Sequence, residues 1–179
     1  MKPSNMQDLN HKFLLLVSLF VTMLTACVDD PEDEDTMKVK VGDIIPSFVL
    51  SDSTGQDIPS SSLIGRVFIL NFIDTSCPDC RQELQVLQRI YDKYQEDVPI
   101  LNIPRSQTKE ELQAYWQETG LSIPYYIPHD SNLYYQFATK TIPRTYIVDV
   151  QGKVYAAFDD KPIADFDTLD HILQVLLGE

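Results

Sequence analysis

Basic side chains are scarce in this 179-residue chain, where 14 Lys and Arg stand against 27 Asp and Glu for a formal charge of −13. Phosphate backbones are held by clustered Lys and Arg, so a nucleic-acid partner is excluded at the outset. Histidine and cysteine are scarcer still, at three each. A structural zinc site takes about four ligands, as two close pairs or as a pair with histidines at tight spacing. Cys77 and Cys80 form one such pair, but His129 and His171 lie far from it and from each other, so no metal site is expected. Haem attachment needs a histidine directly after the second cysteine, and Arg81 stands there. A long apolar run is missing too: "FLLLVSLFVTMLTA", from Phe13 to Ala26, falls short of the about 20 residues that a membrane-spanning helix requires. Internal repeats are absent, and residues 40–179 contain no long structureless loop.

What is there begins with that apolar stretch. Preceded by Lys2, His11 and Lys12, it reads as a secretory signal. It ends in "LTAC", residues 24–27, which resembles the bacterial lipobox, where small residues admit a peptidase and the cysteine receives a lipid. The expected division is a lipoprotein signal peptide over 1–26, an acidic tether over 27–39 behind a lipidated Cys27, and a folded domain over 40–179. Six of the seven residues from Asp29 to Asp35 are acidic. Such a block repels itself and buries no core, which suits a tether that holds a domain off a membrane. Acidic residues just behind the cysteine also resemble the surface-export signals of Bacteroidetes lipoproteins. The expected location is the bacterial cell envelope, with the domain lipid-anchored in the periplasm or on the cell surface.

From about residue 40 the pattern is that of an α/β domain. "SFVLSDSTGQDI" predicts a hairpin around Ser53 to Gly55, and "RVFILNFI", residues 66–73, is apolar enough for a central strand covered on both faces. Leu84, Leu87 and Tyr91 recur at helical spacing from Pro78 to about Tyr94, and "VPILNI" at 98–103 gives the next strand. Thr108 and Glu111 match a capping box, with Gly120 as the stop of that helix. Further on come a short strand at 125–127, a helix capped by Asp130 and running through Ala138, two strands turning near Gln151 and Gly152, and a closing helix with Leu169, Ile172, Leu173 and Leu176 on one face. Alternation of strand and helix predicts a mostly parallel sheet.

A CxxC between an apolar strand and a helix poses a choice between a staple and a redox pair. A bridge across two residues closes so small a loop that it constrains little of the unfolded chain. At a helix start, unpaired amides and the partial positive charge of the helix dipole favour a thiolate at Cys77, and Pro78 fits the first turn because its missing amide is not needed there. The spacing and context therefore favour redox exchange.

The chain here resembles the thioredoxin superfamily, and within it the membrane-anchored TlpA/ResA-like, AhpC/TSA-related thiol:disulfide oxidoreductases. The resemblance covers about residues 40–178 and rests on "GDIIPSFVL", "LIGRVFILNF", "CPDCRQE" and "TIPRTYIVDVQGKV", in the family's order. It implies a thioredoxin-like fold: a central mixed, mostly parallel sheet flanked by helices, with an N-terminal hairpin extension. It implies further that Cys77 is the attacking thiolate, Cys80 the resolving cysteine, and Ile142–Pro143 a cis peptide that helps bind substrate. No cofactor is implied beyond a redox-active Cys77–Cys80 disulfide. The implied partners are a disulfide-bearing protein substrate and a membrane-bound thiol electron donor.

Glu83, three residues after Cys80, aligns with a carboxylate that lies near the thiols in this family, where it would relay a proton to or from Cys80; the bland alternative is a solvated surface glutamate. Asn71 stands where thioredoxins carry a buried aspartate. Ser76 replaces a common tryptophan, and Leu84 and Gln85 replace a helix-kinking proline. Asp74 and Asp79 oppose a thiolate at Cys77, which favours the disulfide and makes the pair a stronger reductant. Two rivals stand beside this reading: a peroxiredoxin-like peroxidase, which would need a hydroxyl where Asp74 stands and a proline where Leu70 stands, and a non-catalytic surface lipoprotein of the same fold.

Overall fold

The computed structural model describes residues 37–178, so the signal-like stretch, Cys27 and the acidic run lie outside the described residues. Residues 37–39, grouped above with the tether, are already tied to the folded part. The Lys38 and Val39 amides both donate to the Phe137 carbonyl, at 2.8 and 3.1 Å, and Val39 is buried.

In chain order the elements are β1 (Val49–Ser51), β2 (Asp57–Pro59), β3 (Phe68–Ile73), α1 (Pro78–Tyr94), β4 (Ile100–Pro104), α2 (Lys109–Thr119), β5 (Ile127–Pro128), α3 (Leu133–Phe137), β6 (Arg144–Val148), β7 (Val154–Phe158) and α4 (Phe166–Leu177). The central sheet has the order β4-β3-β6-β7, and β2-β1-β5 forms a smaller sheet at the expected N-terminal hairpin. The central sheet is mixed, but the expectation that it is mostly parallel is corrected. Only β3 and β4 run parallel, while β3–β6 and β6–β7 are antiparallel. The α1 crossover supplies that parallel pair; after α2 the chain makes a single isolated parallel bridge, Tyr125 to Asn102, before β5 turns away to pair with β1.

β3 explains how the sheet is covered. All six of its side chains are buried, and alternate residues enter different cores. Phe68, Leu70 and Phe72 meet Leu50, Tyr134, Phe137 and Tyr146. Ile69 and Ile73 point the other way, toward Leu84, Leu87 and Ile90 of α1 and Leu169 and Leu173 of α4. Asn71 shares the second face, which puts one amide among aliphatic side chains directly beneath α1.

The helix ends follow their chemistry. Pro78 opens α1. At α2 the Glu111 amide donates to Thr108 Oγ1 at 3.3 Å and the Thr108 amide to the Glu111 carboxylate at 2.8 Å, completing the capping box, and Gly120 closes the helix in the left-handed region with φ 70°. α3 is shorter than expected. Asp130 Oδ1 accepts from the Asn132 amide at 2.9 Å, so the acid makes a turn and the helix begins only at Leu133.

Candidate active site

β3 ends at Ile73, and the chain turns through Asp74, Thr75 and Ser76 to make Cys77 the N-cap residue of α1. Asp74 builds the turn. Its Oδ1 accepts from the Ser76 amide at 2.9 Å and from the Ser76 hydroxyl at 2.6 Å, and its carbonyl accepts from the Cys77 amide at 3.0 Å. Thr75 is bolted to the loop after β4: its amide donates to Gln107 Oε1, and Gln107 Nε2 donates to its hydroxyl, both at 2.7 Å. Ser76, replacing the family's tryptophan, is exposed.

Both cysteines are free thiols, Cys77 half-buried and Cys80 fully buried one turn behind it. Burial pushes the Cys80 thiol well above its ordinary value, and the Cys77 side chain and the Glu83 charge push the same way while the Asp74 backbone opposes them. The difference in access follows from the helix: Cys77 sits at its open end, and Cys80 turns inward against the sheet.

The Ile142–Pro143 peptide is cis, as the resemblance implies, and the Ile142 carbonyl oxygen lies 3.8 Å from Cys77 Sγ. Arg144, which the sequence reading passed over, holds this loop. Its side chain is buried; Nε donates to the Thr141 carbonyl at 3.1 Å, Nη2 to the Thr141 hydroxyl, and Nη1 to Asp159 at 3.3 Å. Tyr134 adds a second donor to the same carbonyl at 2.8 Å. The signal was present in "RTYIV", because a cation inside an apolar strand needs buried partners.

Glu83 is fully buried, which rules out the solvated alternative. Its Oε1 accepts from Thr145 Oγ1 at 2.8 Å, while Oε2 has no partner of normal hydrogen-bond geometry. Burial raises the carboxyl to about 8, with the Thr145 hydroxyl and then the Ala164 backbone amide pulling the other way. Glu83 is therefore largely protonated at neutral pH, and the charge repulsion expected from it at the thiols sets in only above that. The structure thus gathers Cys77, Cys80, Glu83, Ile142 and Pro143 at one end of the sheet. An accessible sulfur at a helix start, a buried sulfur behind it and a carboxyl that titrates near neutrality are the parts of a thiol exchange with proton transfer.

A mixed sheet with a CxxC at the start of the helix after its central strand, facing a cis-proline loop, defines the thioredoxin-like class. The AhpC/TSA family model matches residues 41–157. The thiol-disulfide oxidoreductase ResA of Geobacillus thermodenitrificans is 30% identical over 117 residues, 65% of this chain and 67% of that one. Among solved structures, a candidate protein disulfide isomerase from Bacteroides thetaiotaomicron superposes with a TM-score of 0.74 at 24% identity, covering 81% of this chain and 94% of that one. The exposed lipoprotein thioredoxin of Streptococcus pneumoniae superposes at 0.62 and 17% identity, over 73% of this chain and all of that one. The chain belongs to the AhpC/TSA family and is an oxidoreductase of the TlpA/ResA-like thiol:disulfide kind.

Proposed function

We propose that the protein reduces disulfides of extracytoplasmic proteins, with Cys77 as nucleophile and Cys80 as resolving thiol. The Cys77 thiolate attacks one sulfur of the substrate disulfide; a Cys77–substrate bond forms, the substrate S–S bond breaks, and one substrate thiolate leaves. In the fraction of molecules whose Glu83 is ionised, Cys80 then gives its proton to the Glu83 carboxylate and attacks Cys77 Sγ, so the Cys77–Cys80 bond forms as the second substrate thiolate leaves. Two electrons pass from the pair to the substrate, and Glu83 returns the proton to the departing thiolate. A membrane-bound thiol donor resets the pair. The observation that carries this reading is the contrast in access between the half-buried Cys77 and the fully buried Cys80.

The direction follows from the same burial. A thiol pair oxidises others when its thiolate is strongly stabilised, because that favours the reduced form. Cys80 is held as the neutral thiol and lends the reduced pair none of that stabilisation, which suits a reductant. The half-buried Ile142, ahead of Pro143 and with its carbonyl 3.8 Å from Cys77 Sγ, would offer its backbone to an extended substrate segment beside the nucleophile. A peroxidase would need a hydroxyl at position 74, and Asp74 spends its carboxylate on Ser76.

Cys80→Ser tests the assignment: the variant should accumulate substrate proteins as mixed disulfides on Cys77 in the native envelope, released by added thiol. Absence of such adducts, or adducts on a position other than Cys77, would overturn it. Anchoring is proposed through a lipid on Cys27, motivated by "LTAC" behind the apolar stretch. Intact mass of the mature protein should show a diacylglyceryl group on Cys27 and nothing before it; a retained Met1 would overturn the anchor.

A further inference from the structure

The sheet register stands three buried polar side chains in a row beneath Glu83. Asn102 of β4 pairs directly with Asn71 of β3, and Asn71 with Thr145 of β6. The direction of the hydrogen bonds along this row is fixed from its far end. The Pro124 carbonyl can only accept, so the side chain facing it at 2.9 Å must be the Asn102 amide nitrogen. Asn102 Oδ1 is thereby turned to Asn71, whose Nδ2 donates to it at 3.0 Å. Asn71 Oδ1 then faces Thr145 Oγ1 at 3.2 Å, and that same hydroxyl oxygen lies 2.8 Å from Glu83 Oε1.

One hydroxyl proton therefore serves two acceptors. When Glu83 is ionised, Thr145 donates to the carboxylate and Asn71 Oδ1 loses its donor. When Glu83 is protonated, its own O–H donates to Thr145, and Thr145 turns its proton to Asn71. All the bonds from Glu83 through Thr145, Asn71 and Asn102 to Pro124 are then made in a single direction, so Asn71 competes with the carboxylate for the Thr145 proton and opposes the charge-assisted bond by which Thr145 favours ionisation. We infer that Thr145 is a positioning residue that swings its one hydroxyl proton between Glu83 and Asn71 and so sets how readily Glu83 takes and returns the Cys80 proton. No proton is gained or lost in the row. As Cys80 passes its proton to Glu83, the new carboxyl O–H donates to Thr145 and the hydroxyl turns to Asn71; the reverse follows when Glu83 gives the proton up. The groups that face Glu83 are the Cys80 thiol on its own helix with Cys77 beyond it, the Thr145 hydroxyl and Asn71 amide of the sheet, and the Ala164 backbone amide ahead of α4.

The inference rests on the proposed thiol exchange, and a direct reading of the carboxyl separates the two. In the full chain in detergent, with glutamate labelled by 13C at the side-chain carboxyl, Glu83 is assigned by its loss in Glu83→Gln and titrated by its chemical shift. Thr145→Val removes the donor to the carboxylate and should raise the Glu83 midpoint by about one pH unit, with about a tenfold slower resolution of a mixed disulfide near neutrality. Thr145→Ser keeps the hydroxyl and should restore both. Asn71→Leu removes the competing acceptor, leaves the Thr145 proton to Glu83 alone, and should lower the midpoint. Opposite shifts at two adjoining positions are not what loosened packing produces. Equal midpoints for the Val and Ser variants, or a fall in Thr145→Val, would overturn the inference, and that contrast decides alone if Asn71→Leu does not fold. If the wild-type chain failed to cycle between dithiol and disulfide while the shifts appeared as stated, the thiol-exchange reading would fall and the row would stand.

Discussion

Cys77→Ser is expected to lower the rate of reaction with a small aromatic disulfide by roughly three orders of magnitude or more, equivalent to about 4 kcal/mol or more of barrier. A serine hydroxyl is not ionised near neutrality and attacks sulfur poorly, while the thiol left behind, Cys80, is fully buried and held in its protonated form. Cys80→Ser should behave differently. Attack by Cys77 remains, so the first leaving thiol should appear as a burst of one equivalent and the reaction should stop at the mixed disulfide. Release of the chromophoric thiol, followed with time, reads both. Comparable rates for Cys77→Ser and the wild type would place the nucleophile elsewhere.

Glu83→Gln is expected to change how stability depends on pH more than any other single substitution in the site. The carboxyl titrates near its ordinary value of 4.5 in the unfolded chain and at about 8 in the folded one. Between those values the folded state holds a proton that the unfolded state has lost, so stability falls as pH rises, by about 1.4 kcal/mol per pH unit at most. Below the lower value this penalty is absent, and above the upper one it has reached its full size. Gln keeps the shape and carries no titrating proton. Its stability relative to the wild type should therefore climb from pH 5 to pH 8 and level off beyond, gaining about 3 kcal/mol once relaxation around the buried carboxylate trims the ideal value. Urea unfolding of both proteins at pH 5, 7 and 9 measures the gap; parallel pH profiles would show that Glu83 is not a buried acid with a raised pKa. The same protonation bears on redox poise. Near pH 7 the substitution should leave the potential almost unchanged, and above pH 8, where the wild-type carboxylate repels the thiolates, it should make the couple more oxidising.

Local chemistry made much of this site legible in the sequence. Pro78 at the first helical position and the spacing of Leu84 and Leu87 locate α1 at its observed limits, and the reciprocal pairing of Thr108 with Glu111 does the same for the start of α2. The cysteines, the cis-proline loop and Glu83 were reached through motif and resemblance. What stayed hidden depends on which strands become neighbours. Asn71, Asn102 and Thr145 are separated by 31 or more residues and meet only because β3 lies between β4 and β6 in one particular register. A one-residue slip of any of these strands would turn its own polar side chain to the opposite core. The departure of β5 to the smaller sheet is likewise a matter of partner choice, since a two-residue strand carries almost no pattern of its own. Arg144 was visible as a misfit in an apolar strand, but its partners Thr141 and Asp159 flank two different strands and could not be paired by inspection.

The measurement closest to the heart of the assignment is the redox equilibrium of the Cys77–Cys80 pair. The protein is brought to equilibrium in a series of thiol–disulfide buffers, quenched by alkylation, and its alkylated and bridged fractions are read by intact mass and peptide mapping. A reducing exchanger of this kind should pass from dithiol to a Cys77–Cys80 bridge in a single two-electron step, at a potential below that of the glutathione pool, near or below about −220 mV. A pair that stays reduced in every buffer, or that takes up buffer thiol on each cysteine separately without closing the bridge, would contradict it.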